Sequence, residues 1–494
     1  MELKTLLFSL ATLPLTKSET VLGVYIFHRH GDRTPKSLAP TNLTALGADQ
    51  VYASGDYYRN RYVASDASSP IYGLSNDIAV PTQLNVISPS DAVLQSSSLA
   101  FLQGFYPPAG TNSVSTLANK TEVTAPLGGY QYIPVSTSST TSSSSNSENS
   151  EWLQGGSGCG NAIVSSNNYF LSSEYTTLYD QTQTFYSDLL PVINGTFGAK
   201  QATFKNAYTI YDLVNVATIH NASINASDLL TDETLFELRT LADNHEWNLA
   251  YNSSDPIRAI AGATLAAQVL QQLNNTLTGG KGNKTPVVSI QFGAYASFLS
   301  FFGLAQLDKV SADFTGVVDY ASSIVFELVT NNTSISSSSS SSYPTSDDVS
   351  VRFLLANGTA AENTPREYPL FGRSDTLLPW NTFVAEMNKF AVGDTPAWCL
   401  ACGNTTGICA STTSSSSTDD GDANASSTKS GNGVTLPVAG VIGALVTLVV
   451  ILGVEGLVYA LAGLKLVKKS TLAAAGVGAG SAGVVGGEAA GAKA

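Results

Sequence analysis

Val21-Leu22-Gly23-Val24-Tyr25-Ile26 runs directly into Phe27-His28-Arg29-His30-Gly31-Asp32-Arg33-Thr34-Pro35. The first six residues form an uninterrupted apolar run of the length a buried strand uses. A buried strand that ends in two arginines and a histidine around a glycine brings cationic forks and an imidazole to one point. A guanidinium presents planar, paired N–H donors that match the oxygens of a tetrahedral anion. A neutral imidazole nitrogen is a nucleophile toward phosphorus. The stretch therefore predicts a phosphoryl site in which Arg29 and Arg33 hold the anion and His30 attacks it. Gly31 lets backbone approach closely, and Pro35 ends the turn.

The same residues resemble the Arg-His-Gly-x-Arg-x-Pro signature of the histidine acid phosphatases, the second branch of the histidine phosphatase superfamily. Every fixed position is present, as Arg29, His30, Gly31, Arg33 and Pro35. The likeness continues in Leu43-Thr44-Ala45-Leu46-Gly47, Tyr58-Arg59-Asn60-Arg61-Tyr62, Gln95-Ser96 and Phe105-Tyr106-Pro107-Pro108, and spans residues 21 to about 409. It implies an α/β domain over residues 19–410, with a phosphoglycerate-mutase-like core. That core has a central mixed sheet flanked by helices and carries a mainly helical cap over about 105–285. It also implies hydrolysis of small phosphomonoesters through a phosphohistidine at His30, with Arg29 and Arg33 on the phosphate and no metal or cofactor.

The resemblance implies two further groups: an arginine following an aspartate near the second strand, and a His-Asp pair at the end of a later strand. The pair's histidine binds phosphate and its aspartate protonates the leaving alkoxide. In this chain Ser90-Asp91-Ala92 places Ala92 at the arginine position, and residues 289–296 place Gln291 and Phe292 at the pair, in a segment with no histidine and no acid. A positioned general acid is worth ~10² to 10⁴ in rate and one preorganised donor ~10² to 10³. The expectation is thus a phosphatase with impaired acid catalysis. The alternatives are a pseudophosphatase that binds phosphorylated ligands without turnover, or a structural surface glycoprotein. Beyond the motif only His220 and His245 remain. His245-Glu246 is a His–acid pair, but in a helix-like run and not at a strand end. Asp32 adjoins His30 in sequence, and Gln291 can offer phosphate an uncharged hydrogen bond.

The chain has 494 residues, 43% of them hydrophobic, and a net charge of -14, which opposes nucleic acid as a partner. Its four cysteines, Cys159, Cys399, Cys402 and Cys409, suit two disulfides with three possible pairings. Trp398-Cys399-Leu400-Ala401-Cys402 has redox-motif spacing without a preceding βαβ pattern, so a structural staple is expected. Zinc is disfavoured because the later histidines lie far away in sequence.

Residues 6–15 are apolar, too short to span a membrane and placed as a secretory signal, expected over residues 1–18. Sequons at Asn42, Asn119, Asn194, Asn221, Asn225, Asn252, Asn274, Asn283, Asn357, Asn404 and Asn424 suit a secreted glycoprotein. Helices are expected over 43–62, 92–105, 169–189, 207–217, 228–251, 256–277 and 294–304, and strands over 84–88 and 287–292. The Ser/Thr-rich stretches 136–151 and 334–342 have little to bury. A Ser/Asp/Gly-rich stalk over 411–433 leads to an apolar segment at 434–464, long enough to cross a bilayer. Lys465, Lys468 and Lys469 follow it, which orients the 465–494 tail toward the cytoplasm and the phosphatase-like domain outside, at the cell surface or in a secretory membrane.

Overall fold

The computed structural model describes residues 19–138, 158–279, 285–332, 335 and 343–410. The chain divides into two units, Met1–Thr418 and Asp419–Ala494, and every described residue belongs to the first. The expected signal, stalk, membrane segment and tail lie outside the described residues. Among those described, no helix is long and apolar enough to cross a membrane.

Eight strands form one mixed sheet: β1 Thr20–Arg29, β2 Leu84–Pro89, β3 Ser136–Ser138, β4 Val288–Gly293, β5 Ser323–Thr330, β6 Val349–Ala356, β7 Arg366–Glu367 and β8 Leu377–Pro379. Their order is β8-β6-β5-β1-β4-β2-β3, with β7 pairing β6. On one side of β1 the strands β4, β2 and β3 run parallel to it. On the other, β5 is antiparallel to β1 and β6 is antiparallel to β5. β1 is thus central and buried along all but its first residue, as an unbroken apolar run demands.

The helices that frame the site are α1 Ala45–Tyr62, α2 Ala92–Phe105, α3 Gly160–Asn167, α4 Ala207–His220, α5 Asp232–Ala250, α6 Ile260–Gly279 and α7 Tyr295–Leu304. Alternate side chains of β1 feed opposite faces. Tyr25 and Phe27 pack with Leu265, Val269, Phe298 and Phe302 of α6 and α7. Val24 and Ile26 pack with Val51, Tyr58, Phe101 and Phe105 of α1 and α2. Where α1 crosses α2 the backbones touch: a Cβ on Gly55 would sit 2.1 Å from the Phe101 carbonyl oxygen, and one on Gly104 2.2 Å from that of Tyr52. Each helix opens on a side-chain cap. The Thr44 hydroxyl accepts from the Gly47 amide at 3.0 Å, and Asp91 accepts from the Val93 and Leu94 amides at 2.9 Å.

A helical excursion, from α3 through α5, has a core of its own built on Tyr169, Tyr175, Tyr186, Phe204, Ile210, Val214, Leu238 and Leu241. It is narrower than the expected 105–285. α6 packs on β1 as part of the main domain, and Ser136–Ser138 joins the sheet beside β2. The run expected as one helix over 169–189 breaks into Ser173–Gln181 and Gln183–Asp188. Cys159 pairs with Cys402 and Cys399 with Cys409, so the two cysteines of redox spacing are not bonded to each other. The sequon residues Asn42, Asn119, Asn194, Asn221, Asn225, Asn274 and Asn357 are exposed.

Candidate active site

The motif leaves the sheet where β1, β4 and β2 present their carboxyl ends, the usual position of ligand sites in open α/β sheets. Gly31 turns against α1: a Cβ there would lie 2.1 Å from the Gly47 carbonyl oxygen, and one on Gly47 would lie 2.0 Å from that of Asp32. Both glycines are thus required by close backbone approach. His30 is buried, and its Nδ1 lies 2.8 Å from the Gly31 carbonyl oxygen. A carbonyl only accepts, so Nδ1 carries the hydrogen and Nε2 keeps its lone pair. Burial, with the charges of Arg29 and Arg33 behind it, holds the His30 pKa well below the ordinary histidine value of 6.5. The imidazole is therefore kept in its nucleophilic, neutral form.

Arg29 and Arg33 are both buried beside this ring. Arg29 donates through Nη1 to the Val318 carbonyl oxygen, and its guanidinium carbon lies 4.6 Å from the Tyr320 ring and 5.4 Å from that of Tyr295. Arg33 donates to Asp212 through Nη2 at 2.8 Å and Nη1 at 3.1 Å, and its guanidinium lies 5.7 Å from Tyr320. The His30 ring is 5.6 Å from the same tyrosine. All three motif residues thus meet around Tyr320. In each arginine the Nε–H is buried and has no partner among the described residues. A buried charged donor without an acceptor is costly unless an anion supplies one.

Several of these neighbours are invisible to a motif search. Tyr320 sits in loop 317–322, which is stitched to the motif by Ala321 N to His30 O at 2.9 Å and Arg29 N to Ser322 O at 2.8 Å. Ala321 takes φ +60° to make both ends meet. Asp212 comes from α4, and Lys36 brings its ammonium within 5.5 Å of the Tyr295 ring. The one sequence signal for Asp212 is an acid on the apolar side of the Ala207–His220 helix, among Tyr208, Ile210, Val214 and Val216.

The opposite wall differs from expectation. β1 and β4 pair with Arg29 opposite Gly293, so Gln291 and Phe292 lie inside the strand and not at its mouth. Gln291 accepts from the Tyr25 hydroxyl, and Phe292 packs 5.3 Å from His28 and 5.7 Å from Phe101. The residues that leave the strand beside Arg29 are Gly293, Ala294 and Tyr295, again without a carboxylate. Ala92 is an exposed first-turn residue of α2. His245 and Glu246 do pair, Nδ1 to Oε1 at 2.8 Å, and Glu246 is linked toward the arginines by Tyr295, whose hydroxyl donates to Glu246 Oε2 at 2.6 Å. His220 Nε2 lies 2.6 Å from Asp32 Oδ2, which also accepts from the Thr44 hydroxyl. Among the described residues no cluster of three or more His, Cys, Asp or Glu is placed to hold a metal ion.

A family model for the histidine phosphatase superfamily, branch 2, matches residues 37–355. The chain belongs to this family. The match begins just past the motif, so the motif residues and the histidine phosphatase assignment are independent of one another. No curated protein matches the sequence. Among solved histidine phosphatase folds, the phytase of Citrobacter braakii superposes with TM-score 0.50 at 15% identity, covering 77% of this chain and 99% of that one. The Hafnia alvei phytase apo form gives TM-score 0.50 at 13% identity, covering 78% and 99%. The phytase of D. castellii gives TM-score 0.50 at 14% identity, covering 80% and 84%. At such identities these likenesses concern the fold alone.

Proposed function

We propose that this histidine phosphatase binds a phosphomonoester at His30 and transfers its phosphoryl group to that imidazole. One observation supports this above the rest: a neutral, buried His30 with Nε2 unprotonated, flanked by two guanidinium groups whose buried Nε–H donors have no partner among the described residues. In the proposed step the Nε2 lone pair forms a bond to phosphorus and the ester P–O bond breaks, its electron pair leaving with the alkoxide. The alkoxide takes a proton from water, because Gly293, Ala294 and Tyr295 provide no carboxylic acid at the strand mouth. Water then attacks the phosphohistidine and releases phosphate. Missing acid catalysis makes alkyl esters slow, by ~10² to 10⁴.

The test is rapid acid-free quenching after mixing with a phosphomonoester, followed by detection of an acid-labile phosphohistidine. Labelling of the native protein and none of His30→Ala supports transfer. Equal signals in both remove it.

A second reading, binding of phosphorylated ligands without turnover, is favoured by the bidentate Asp212–Arg33 pair, which already occupies one of the two forks. It is distinguished by phosphate or vanadate raising the melting temperature with no phosphohistidine formed.

The apolar 434–464 segment, the lysines after it and the exposed sequons further support an extracytoplasmic, glycosylated domain on a single C-terminal anchor. Glycosidase-sensitive mass and carbonate-resistant membrane association test that arrangement.

A further inference from the structure

Loop 317–322 meets the Arg29 side chain at two points. Arg29 Nη1 donates to the Val318 carbonyl oxygen, and its guanidinium carbon lies 4.6 Å from the Tyr320 ring. The C-terminal end of this loop is bonded to β1 and the motif, whereas its N-terminal end is held from α5, in the helical excursion. Asp243 Oδ1 accepts from the Val317 amide at 2.8 Å, and Arg239 Nη2 donates to the Val317 carbonyl oxygen. Val317 is buried and gripped through both its N–H and its C=O, next to the carbonyl that Arg29 meets. Arg239 is fixed in turn. Its Nε donates to both oxygens of Asp243 at 3.1 Å, and its Nη1 donates to the Tyr211 hydroxyl and to Asp319 Oδ1, each at 2.9 Å. The Asp319 amide donates to Asn357 Oδ1 at 2.9 Å, which ties the middle of the loop to the end of β6.

We infer that Arg239 and Asp243 are positioning residues for Arg29, setting through loop 317–322 where its guanidinium sits beside His30. The inference rests on the phosphoryl-transfer reading above and adds to that site two residues from the helical excursion. An i,i+4 ion pair on a helix surface is ordinarily worth only ~0.3–0.5 kcal/mol, so stability alone gives this pair little purpose. What it does instead is orient a backbone segment whose next carbonyl and next ring both touch Arg29. Lysine cannot replace Arg239 here, because a single ammonium lacks the planar fork that reaches a carboxylate, a hydroxyl and a carbonyl at once. Displacing a positioned group by about 1 Å, even from afar, can cost ~10² in rate.

The experiment is a double-mutant cycle on the full chain, reading vanadate affinity by calorimetry and the rate of phosphohistidine formation from phenyl phosphate. Arg239→Lys should slow labelling by ~10²-fold and weaken vanadate binding. In an Arg29→Ala background the same substitution should change either quantity by no more than about twofold, since a residue that acts through Arg29 has nothing left to position. Asp319→Ala removes one Arg239 tie at a side chain that is 53% exposed, so it tests the same link without disturbing the fold, and it should slow labelling several-fold. Arg258→Lys is the control for general loosening. Arg258 is half-buried and donates to the Asn248 carbonyl oxygen at 2.6 Å and to that of Ser165, and its loss should leave labelling unchanged. An Arg239→Lys effect that persists undiminished without Arg29, unchanged labelling in Asp319→Ala, or an equal loss in Arg258→Lys overturns the inference and leaves phosphoryl transfer standing. A native protein that binds no vanadate and labels no more than His30→Ala overturns both.

Discussion

Asp212 grips Arg33 through both carboxylate oxygens, Oδ1 to Nη2 at 2.8 Å and Oδ2 to Nη1 at 3.1 Å, with both side chains nearly inaccessible. Asp212 belongs to the helical excursion and Arg33 to the motif, so this pair ties the two together. It is also a competitor, because a fork satisfied by a carboxylate has less to give a phosphate. The same Asp212 Oδ2 accepts from the Lys36 amide at 2.8 Å, which fixes the carboxylate in place.

Asp212→Asn should therefore act in two opposite directions. Removing one partner of a buried pair leaves an uncompensated charge and costs ~3–5 kcal/mol of stability. Releasing the Arg33 fork should at the same time tighten binding of inorganic phosphate several-fold, since the anion then supplies the lost counter-charge. Urea unfolding with and without phosphate checks both: the variant should be less stable alone and recover more on adding phosphate than the native chain. Unchanged phosphate affinity in the destabilised variant would show that Arg33 is structural only.

Glu327 provides a second test of how burial scales charge. It is fully buried in β5, where Oε1 accepts from Arg61 at 2.6 Å and the Tyr62 hydroxyl at 2.6 Å, and Oε2 accepts from Arg352 at 2.9 Å. Arg352 also meets Glu19 at 2.5 Å, but the Glu19 side chain is 26% exposed. Glu327→Ala should cost ~3–5 kcal/mol, leaving two cations without their shared partner. Glu19→Ala should cost at most about 1 kcal/mol. Comparable losses in denaturant titration would mean that position in the sheet, and not burial of charge, sets the cost.

The readable parts of this chain are those whose reasons are local. The Arg29–Pro35 motif, the capped α1 and α2 and the strand–helix unit around β4 follow from runs of residues adjacent in sequence. Tyr58-Arg59-Asn60-Arg61-Tyr62, quoted for its likeness alone, has a plain structural purpose in Arg61 and Tyr62 meeting Glu327. What sequence could not show depends on distant contacts. Asp212 lies 179 residues from Arg33, and Tyr320 reaches His30 only because its loop is hydrogen-bonded to the end of β1. β5 and β6 carry no plain strand pattern because Glu327 and Arg352 interrupt their apolar runs, although pairing across the sheet neutralises both. The placement of Gln291 and Phe292 at the site failed on register. A buried strand of six residues carries no internal mark of where it ends, and its pairing with β1 sets Gly293 beside Arg29.

The two disulfides should contribute unequally. Cys159–Cys402 closes a loop with a separation of 243 residues and Cys399–Cys409 one of 10. Chain-entropy reasoning assigns ~5 kcal/mol to the former and ~3 kcal/mol to the latter. Replacing Cys159 and Cys402 together by Ser should therefore lower the unfolding free energy more than replacing Cys399 and Cys409. The reverse order in guanidinium titrations would place their effect in the folded state and not in the unfolded chain.

His28 lies one residue before Arg29, points into the α1–α2 side of the sheet and packs 5.1 Å from Phe101 and 5.3 Å from Phe292. Burial lowers its pKa from 6.5 to about 4. The unfolded chain then binds a proton below pH 6.5 that the folded protein refuses until about pH 4, so stability is full above that window and is lost as the pH falls through it. For this one group the loss between neutral pH and about pH 4.5 is roughly 2–3 kcal/mol. His30, shifted in the same direction by burial and by Arg29 and Arg33, adds to the same acid limb. His28→Leu fills an aromatic-lined site and removes one titrating base. Its midpoint in urea should fall less than the native midpoint between neutral pH and about pH 4.5, even though losing the Nδ1 donor to Arg29 O makes it less stable at neutral pH by ~1 kcal/mol. Parallel acid limbs in the two proteins would mean that His28 titrates normally and that the ring is open to water.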